Sequence, residues 1–193
     1  YEYPLLVRGM QRYEEKQKIC QCATGLIQDG DTIFIDNSST TVGFLRFVPR
    51  EMKLTVITNS IQVLLEAGKL NNSNWAVICV GGLLNVKNYS MAGVFSKSFA
   101  QNFFPDKAFM SCRGISEAFG MSDASILEIE VKRDMLSRSK QFILMADHTK
   151  FGQMGSVYMG RLEEIDFLIT DAKADPEKMR FLEKHPMKVL IAR

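Results

Sequence analysis

The stretch Thr32-Ile33-Phe34-Ile35-Asp36-Asn37-Ser38-Ser39-Thr40-Thr41 decides the fold of this 193-residue chain. It begins as a continuous apolar run and ends in a run of polar and hydroxyl residues. A continuous apolar run is typical of a strand that is buried on both faces of a parallel sheet. The hydroxyl residues predict a turn after that strand, and we expect a helix over residues 40–47 that ends before Pro49.

The same alternation of apolar runs and helical patterns continues outward from this stretch. Further strands are predicted at residues 54–58, 75–80, 108–112, 141–146, 167–170 and 188–192, and helices at 14–28, 60–70, 93–104, 124–139 and 176–183. In the helix over 124–139 we expect Ile126, Ile129, Val131 and Met135 to point inward. This order predicts an α/β fold with a mostly parallel, Rossmann-like sheet covered by helices on both faces.

The composition is that of an ordinary globular domain. Hydrophobic residues make up 46% and charged residues 24%, and the net charge is +2. These values exclude a disordered tail or a low-complexity linker. A charge of +2 is too small to mark the chain itself as a nucleic-acid binder. No apolar run approaches the roughly 18 residues of a membrane helix, so no membrane partner is predicted.

The cysteines and the glycines do not indicate a cofactor. Cys20 and Cys22 form a Cys-x-Cys pair that no second Cys or His pair completes, so we predict no metal site. Cys79 and Cys112 lie in or near apolar runs, and we expect both to be buried free thiols. No dinucleotide fingerprint or Walker loop is present. Free cysteines without a disulfide pattern favour a reducing, cytoplasmic setting.

The beginning of the chain predicts a fragment. The first residue is Tyr1 rather than Met, and simple processing or tag cleavage is the alternative explanation. Residues 1–13 carry Arg8 and Arg12 and little apolar periodicity, so we interpret them as the remnant of a linker. Residues 14–193 are expected to form one domain.

Polar residues follow several predicted strands at their carboxyl ends, where open α/β sheets bind ligands. Asp36 and the hydroxyl run 38–41 follow the first strand. Hydroxyls and free N–H groups at the positive end of a helix suit a phosphate, whereas an ordinary N-cap needs only one such residue. The other strand ends carry Thr58 and Asn59, Gly81 and Gly82, and Asp147 to Lys150. Together they predict a site for a small phosphorylated metabolite, although each alone is equally typical of a turn or solvated loop.

Several motifs recur in an order that is specific to one family. They are Asp29-Gly30-Asp31-Thr32-Ile33-Phe34-Ile35-Asp36 with its hydroxyl run, Leu54-Thr55-Val56-Ile57-Thr58-Asn59-Ser60, Gly81-Gly82, Lys107-Ala108-Phe109, Gly114-Ile115-Ser116, Glu130-Val131-Lys132-Arg133-Asp134-Met135, Asp147-His148-Thr149-Lys150-Phe151-Gly152 and Ile169-Thr170-Asp171. This pattern resembles the effector-binding domain of DeoR-type bacterial transcription regulators. The resemblance covers about residues 14–172.

The resemblance implies a sugar-phosphate sensor with the fold of ribose-phosphate isomerases and CoA transferases. A winged helix-turn-helix that contacts operator DNA would precede it, and such regulators form dimers or tetramers. By this resemblance, the phosphate loop would consist of Asp36, Ser38, Ser39, Thr40 and Thr41. The cleft would be lined by Thr58, Asn59, Gly81 and Gly82, and the sugar would be surrounded by Arg113, Glu130, Lys132 and Lys150. The implied function is that of a repressor whose operator affinity changes when a phosphorylated sugar binds.

Two departures from the family pattern matter. Ser38 stands where the family usually has Gly, and Ser tolerates a positive φ less readily. The related isomerases carry paired aspartates near the segment that is 112–116 here, which has no carboxylate, and this favours binding without turnover. We expect Arg113 to pair with a second anionic group of the ligand instead. A sugar-phosphate isomerase-like enzyme and an oligomerisation module with a non-functional pocket are the alternatives.

Overall fold

A computed structural model of the chain describes residues 3–193, and within that range twelve strands form three sheets. The strands are β1 (Thr32–Ile35), β2 (Leu54–Thr58), β3 (Trp75–Cys79), β4 (Leu83–Asn85), β5 (Ser90–Ala92), β6 (Lys107–Met110), β7 (Gly114–Ser116), β8 (Gly120–Asp123), β9 (Gln141–Met145), β10 (Val157–Gly160), β11 (Phe167–Asp171) and β12 (Lys188–Ala192). The seven predicted strands are all present and form one sheet.

The central sheet is parallel throughout and has the order β12-β11-β9-β6-β1-β2-β3. From β1 the chain winds to one side through β2 and β3, and then returns to the other side of β1 through β6. The direction of winding therefore reverses between β1 and β6. In doubly wound sheets the crevice at such a switch point, beyond the carboxyl ends of the strands, is where ligands bind.

Helices cover both faces of this sheet, as predicted. They are α1 (Leu5–Met10), α2 (Tyr13–Thr24), α3 (Ile61–Leu70), α4 (Val94–Ala100), α5 (Ile129–Arg138) and α6 (Pro176–Met179). Side chains of β1 alternate between two buried clusters, with Phe34 on one face and Ile33 and Ile35 on the other. The first cluster includes Val131 of α5 and the second includes Ile19 of α2. Among residues 3–193, each helix is too short or too polar to cross a bilayer.

Two small antiparallel elements pack beside the central sheet and were not predicted. Strands β10, β8 and β7 form a three-stranded sheet, and β4 and β5 form a hairpin. These strands are three or four residues long and rich in glycine and polar side chains, so they lack the apolar runs that reveal the central strands. The small sheet nevertheless contributes to the candidate site described below.

The predicted helix over residues 40–47 is wrong. Residues 39–43 form turns, and only Phe44–Phe47 is helical, as a short 3-10 helix. The β-branched Thr40, Thr41 and Val42 followed by Gly43 have low helix propensity. The Thr41 hydroxyl also donates to Asp36 Oδ1 at 2.8 Å, a local bond that competes with helical geometry.

Two further expectations differ from the structure. The helix predicted over 124–139 begins only at Ile129, so Ile126 is 74% exposed, while Ile129, Val131 and Met135 are buried as predicted. Cys79 is exposed because β3 is an edge strand whose side chains are not covered on both faces. Cys112 is buried as predicted, and burial raises the pKa of its thiol to about 12.

Candidate functional site

Asp36 is the buried carboxylate that links the segments beyond β1 and β6. Its side chain is fully buried, and its Oδ1 accepts hydrogen bonds from Ser38 N at 3.0 Å and from Thr41 Oγ1 at 2.8 Å. Its Oδ2 accepts from Ser111 N at 2.9 Å and pairs with Lys132 Nζ at 3.2 Å. One carboxylate therefore joins the loop after β1, the end of β6 and helix α5. Asp36 and Thr41 are not among the residues that line the cavity described below, but their hydrogen bonds hold the loop that lines it.

Lys132 is the buried cation at the centre of this network. Its Nζ donates to Ser111 O at 2.7 Å and to Asp123 Oδ2 at 2.6 Å, and pairs with Asp36 Oδ2. Three acceptors match the three protons of the ammonium group. Burial opposes the charge, but Asp123 and Asp36 outweigh it, and together they hold the pKa of Lys132 above its ordinary value. Lys132 is thus a permanent charge at the base of the site.

Asp123 is a site carboxylate that the sequence did not reveal. It is the last residue of β8, and the small antiparallel sheet brings it to within 2.6 Å of Lys132. Its Oδ1 accepts from Ala124 N at 2.9 Å and its Oδ2 from Lys132. Both oxygens are therefore already engaged, although the residue lines the cavity.

A cavity of about 40 Å³ lies above this network. It is lined by Arg8, Ser38, Ser39, Thr40, Ser111, Cys112, Arg113, Asp123, Lys132 and Lys150. Six of these were predicted to bind ligand, namely Ser38, Ser39, Thr40, Arg113, Lys132 and Lys150. At roughly 10–15 Å³ for each water-sized group, the volume suits a compact anion rather than a whole sugar.

The cavity carries an excess of positive charge. Arg8, Arg113, Lys132 and Lys150 line it, and Asp123 is the acidic side chain among the lining residues. Within residues 3–193, no carboxylate comes within 4.0 Å of Arg113 or Lys150, and neither side chain donates a hydrogen bond to another described residue. Arg113 and Lys150 are both half-buried, and although Asp147 interacts electrostatically with Lys150, neither cation forms an ion pair within 4.0 Å with a described carboxylate, which makes this cavity a candidate site for an anion.

The hydroxyl loop adopts an ordinary backbone conformation despite its serine. Among the described non-glycine residues, the positive φ values belong to Arg12, Asn71 and Tyr89, so Ser38 is not in the left-handed region. Its Oγ lies 3.1 Å from Thr41 Oγ1. The presence of Ser where the family usually has Gly therefore requires no backbone strain. No α-helix follows the loop, so a helix dipole does not contribute to this site.

Thr58 and Asn59 lie at the carboxyl end of β2 but outside the cavity. Thr58 Oγ1 donates to Ile35 O at 2.7 Å and accepts from Ser60 N at 3.1 Å, and these bonds fix the strand ends. Asn59 Nδ2 donates to Asn37 Oδ1 at 3.3 Å. Both side chains are fully buried, and their contacts are structural.

Gly81, Gly82 and Glu130 also lie away from the cavity. Gly81 O accepts from Ser96 Oγ at 2.5 Å. Gly82 has φ +143°, and a Cβ there would lie 2.0 Å from Ser96 Oγ. Gly82 thus permits the close approach of α4. Glu130 is on the exposed side of α5, where it pairs with Lys97 at 3.6 Å.

Lys16 of α2 is a second buried lysine beside the hydroxyl loop. Its Nζ donates to Arg8 O at 2.6 Å and to Ser39 Oγ at 3.0 Å. Burial, and to a smaller extent the neighbouring cations Lys150 and Arg8, lower the pKa of Lys16 to about 8, although Asp147 opposes this. Lys16 therefore connects α1 to the loop that lines the cavity.

The fold and this site define a class of protein: an α/β domain with a candidate anion site at the switch point of a parallel sheet. Comparison with known proteins identifies the family. The DeoR C-terminal sensor domain matches residues 11–172. The chain belongs to this family, and it is a sensor domain of the DeoR type.

The relatives are transcription regulators. The chain is 35% identical over 175 residues to the uncharacterised HTH-type transcriptional regulator YulB of Bacillus subtilis, and this match covers 91% of the chain and 67% of the relative. It is 25% identical over 177 residues to the deoxyribose operon repressor of Escherichia coli, covering 92% of the chain and 69% of the repressor.

Solved structures with a similar fold include isomerases. Ribose 5-phosphate isomerase A from Methanocaldococcus jannaschii has a TM-score of 0.53 and 15% identity, covering 72% of this chain and 55% of that one. A ribose-5-phosphate isomerase in complex with phospho-erythronic acid has a TM-score of 0.52 and 16% identity, covering 73% and 55%. The chain spans just over half the length of these isomerases. At such identities the likeness concerns the fold alone, and it confirms the predicted architecture.

Proposed function

We propose that this domain senses a phosphorylated sugar or related metabolite for a transcriptional repressor, and that the phosphate binds in the cavity between β1 and β6. The observation that carries the proposal is the pair Arg113 and Lys150, which line the cavity and form no ion pair within 4.0 Å with a described carboxylate. A phosphate monoester carries about −1.5 to −2 charges at pH 7, which suits the two cations Arg113 and Lys150.

Each group then has a distinct role. The planar Arg113 guanidinium can donate two parallel hydrogen bonds to phosphate oxygens, while Lys150 acts as a point charge. The hydroxyls of Ser38 and Ser39 donate to the remaining oxygens. Asp36 and Lys132 hold these groups in place. The sugar lies outside the cavity, because a volume of about 40 Å³ holds only the phosphate group.

The comparisons support this choice of ligand and of role. One matched relative is a repressor of a deoxyribose operon, and one matched isomerase is in complex with a phosphorylated sugar acid. We further propose that residues 14–193 form the sensor and that 1–13 belong to a linker to an operator-binding helix-turn-helix domain in the cytoplasm. A ligand changes operator affinity only through its different affinities for two states of the regulator, which we expect to be a dimer or tetramer.

A thermal-shift screen of the 193-residue chain tests the proposal. Phosphorylated sugars are compared with the same sugars without phosphate. A ligand at about 100 times its dissociation constant stabilises the folded chain by about 2.7 kcal/mol, which raises the Tm by roughly 5–10 °C for a domain of this size. The absence of a shift with every phosphorylated sugar contradicts the proposal and leaves the oligomerisation module as the explanation.

Sugar-phosphate isomerisation is the second candidate, because Asp123 places a carboxylate at the cavity. Moving a proton between carbons requires a base with a free lone pair aimed at the substrate. The bonds from Ala124 N and Lys132 Nζ to Asp123 favour a positioning role instead. A coupled isomerase assay with ribose 5-phosphate separates the two candidates, and we expect no rate above background.

A further inference from the structure

Helix α1 forms one wall of the candidate site. Leu5 is 1% exposed, and its N–H donates to Lys87 O at 3.0 Å in the turn between β4 and β5. Arg8 lies in the same helix and lines the cavity. Because a helix of six residues is unstable alone, the position of α1 depends on these contacts with the domain.

Arg8 connects the cavity to the rest of the site through side-chain contacts. Its Nη2 donates to Asn88 Oδ1 at 2.8 Å. Asn88 Nδ2 in turn donates to Glu128 Oε1 at 3.4 Å. Glu128 precedes α5 and lies one helical turn before Lys132, so the two residues lie on the same side of the helix. Arg8 is thereby linked to the element that carries the central lysine.

Lys16 provides a second connection between α1 and the cavity. Its ammonium joins the backbone carbonyl of Arg8 to the hydroxyl of Ser39. Ser39 itself lines the cavity. A charge placed in the cavity therefore acts on α1 through the Arg8 side chain and, by way of Ser39 and Lys16, through the Arg8 backbone.

The chain bends sharply between α1 and α2. Gln11 is extended, with φ −76° and ψ 130°, and Arg12 is left-handed, with φ 51° and ψ 42°. A left-handed conformation is unfavourable for a non-glycine residue, and it persists only where surrounding contacts favour it. Continuity with α2 therefore does not fix the position of α1, which depends on contacts with the domain, those of Arg8 at the cavity among them.

We propose that Arg8 is a ligand-binding residue supplied by α1, and that a bound phosphate holds α1 against the cavity. Occupancy of the site is then transmitted to the chain on the amino-terminal side of α1. This inference rests on the proposed function, since it requires an anion in the cavity. It adds a residue outside the matched family region, which begins at residue 11.

The test combines binding with hydrogen exchange on the 193-residue chain, using inorganic phosphate as the probe. We expect phosphate to slow amide exchange in residues 5–12 several-fold. Arg8→Gln retains a donor for Asn88 but lacks the charge, and we expect it to bind phosphate about 10- to 100-fold more weakly because a charge-assisted hydrogen bond is lost. Arg12→Gln removes a charge from the same segment outside the cavity and serves as the matched control.

The outcomes separate this inference from the proposed function. If phosphate raises the Tm but leaves exchange in residues 5–12 unchanged, and Arg8→Gln binds like the unsubstituted chain, the inference is wrong and the proposed function stands. If neither phosphate nor any phosphorylated sugar raises the Tm, the proposed function fails and the inference with it. Circular dichroism verifies that each variant is folded, and Arg8→Lys should recover most of the lost affinity.

Discussion

Both ends of the central sheet carry ion pairs, but their charges balance differently. At the amino end, Lys107 pairs with Asp31 at 2.6 Å and Lys140 with Asp106 at 2.9 Å, so each cation has its own carboxylate. At the carboxyl end, Arg113 and Lys150 remain without such a partner within residues 3–193. A depression lined by charged side chains exists at both ends. The difference teaches that unbalanced charge, rather than concavity, distinguishes the candidate ligand site.

The largest expected effect comes from the central lysine. Lys132→Met leaves Asp36 and Asp123 without their cation, and breaking a buried pair in this way costs about 3–5 kcal/mol. Lys107→Met leaves only Asp31 unpaired at the other end, so we expect a smaller loss. Urea unfolding measures both.

Phosphate titration of the same two variants sharpens the comparison. Lys132→Met should lose the thermal shift by phosphate, while Lys107→Met should keep it under conditions in which the protein is folded. Loss of phosphate binding in a folded Lys107→Met protein would break the distinction between the two ends.

The unpartnered cations should affect binding more than stability. Arg113→Ala and Lys150→Ala each remove a charged hydrogen bond to the anion, so phosphate affinity should fall by about 1.5–3 kcal/mol. The free energy of unfolding should change by no more than about 0.5 kcal/mol, because neither side chain pairs with a carboxylate. Calorimetric titration and urea unfolding measure the two quantities. Lys140→Ala is the control from the amino end, and an equal loss of affinity there would contradict the prediction.

A pH titration probes the buried lysine beside the hydroxyl loop. The pKa of Lys16 is about 8, and the charged groups that act on it are Asp147, Lys150, Arg8 and Arg12. A phosphate monoester, with a second pKa of about 6, is already dianionic above pH 7 and is therefore the ligand for this titration. As the pH rises from 7 to 9, Lys16 loses its charge, and the affinity for the phosphate group should therefore fall. The expected fall is roughly fivefold, for an electrostatic effect on the order of 1 kcal/mol.

Lys16→Met should remove that fall, whereas Lys18→Met, at an exposed position of α2, should retain it. For the free protein the sign is opposite. Folding lowers the pKa of Lys16 from 10.5 to about 8, so the folded chain binds fewer protons than the unfolded chain between these values. The contribution of Lys16 to stability therefore rises with pH across that window. A pH-independent affinity in the unsubstituted chain would contradict this account.

The smallest effect is expected from Ser38→Gly. Because Ser38 has no positive φ, glycine relieves no strain, and it removes the contact with Thr41 Oγ1 together with the hydroxyl that we propose as a donor to the phosphate. Stability should fall by about 1 kcal/mol or less, the usual net contribution of one hydrogen bond. Urea unfolding and phosphate titration measure the outcome. A tenfold gain in phosphate affinity would show that the serine distorts the loop after all.

The central sheet was predictable because burial on both faces demands continuous apolar runs such as Ile33-Phe34-Ile35. The small sheet was not, since segments such as Gly114–Ser116 owe their strand conformation to pairing with neighbours rather than to their own sequence. Asp123 was missed for that reason: it reaches the cavity only because the chain folds back at Gly120, which has φ +71°.

Side-chain direction accounts for the other differences at the site. Glu130 and Lys132 were both expected to surround the ligand, yet residues two apart on a helix point about 200° apart. Lys132 is buried and Glu130 is exposed, so helical geometry alone could have chosen between them. Thr58 and Gly82 were placed correctly at strand ends, but the sequence does not indicate that their contacts lie within the protein.

The Asp36 carboxylate also has a consequence for the order of folding. It joins residues that are 75 and 96 positions away in the chain, Ser111 and Lys132. Closing loops of that length is entropically costly, so such contacts form late, after local helices and neighbouring strands. The cavity accordingly exists only in molecules that have completed most of their folding. A ligand of the cavity therefore binds only molecules that have folded, and it stabilises them relative to chains that are still incompletely folded.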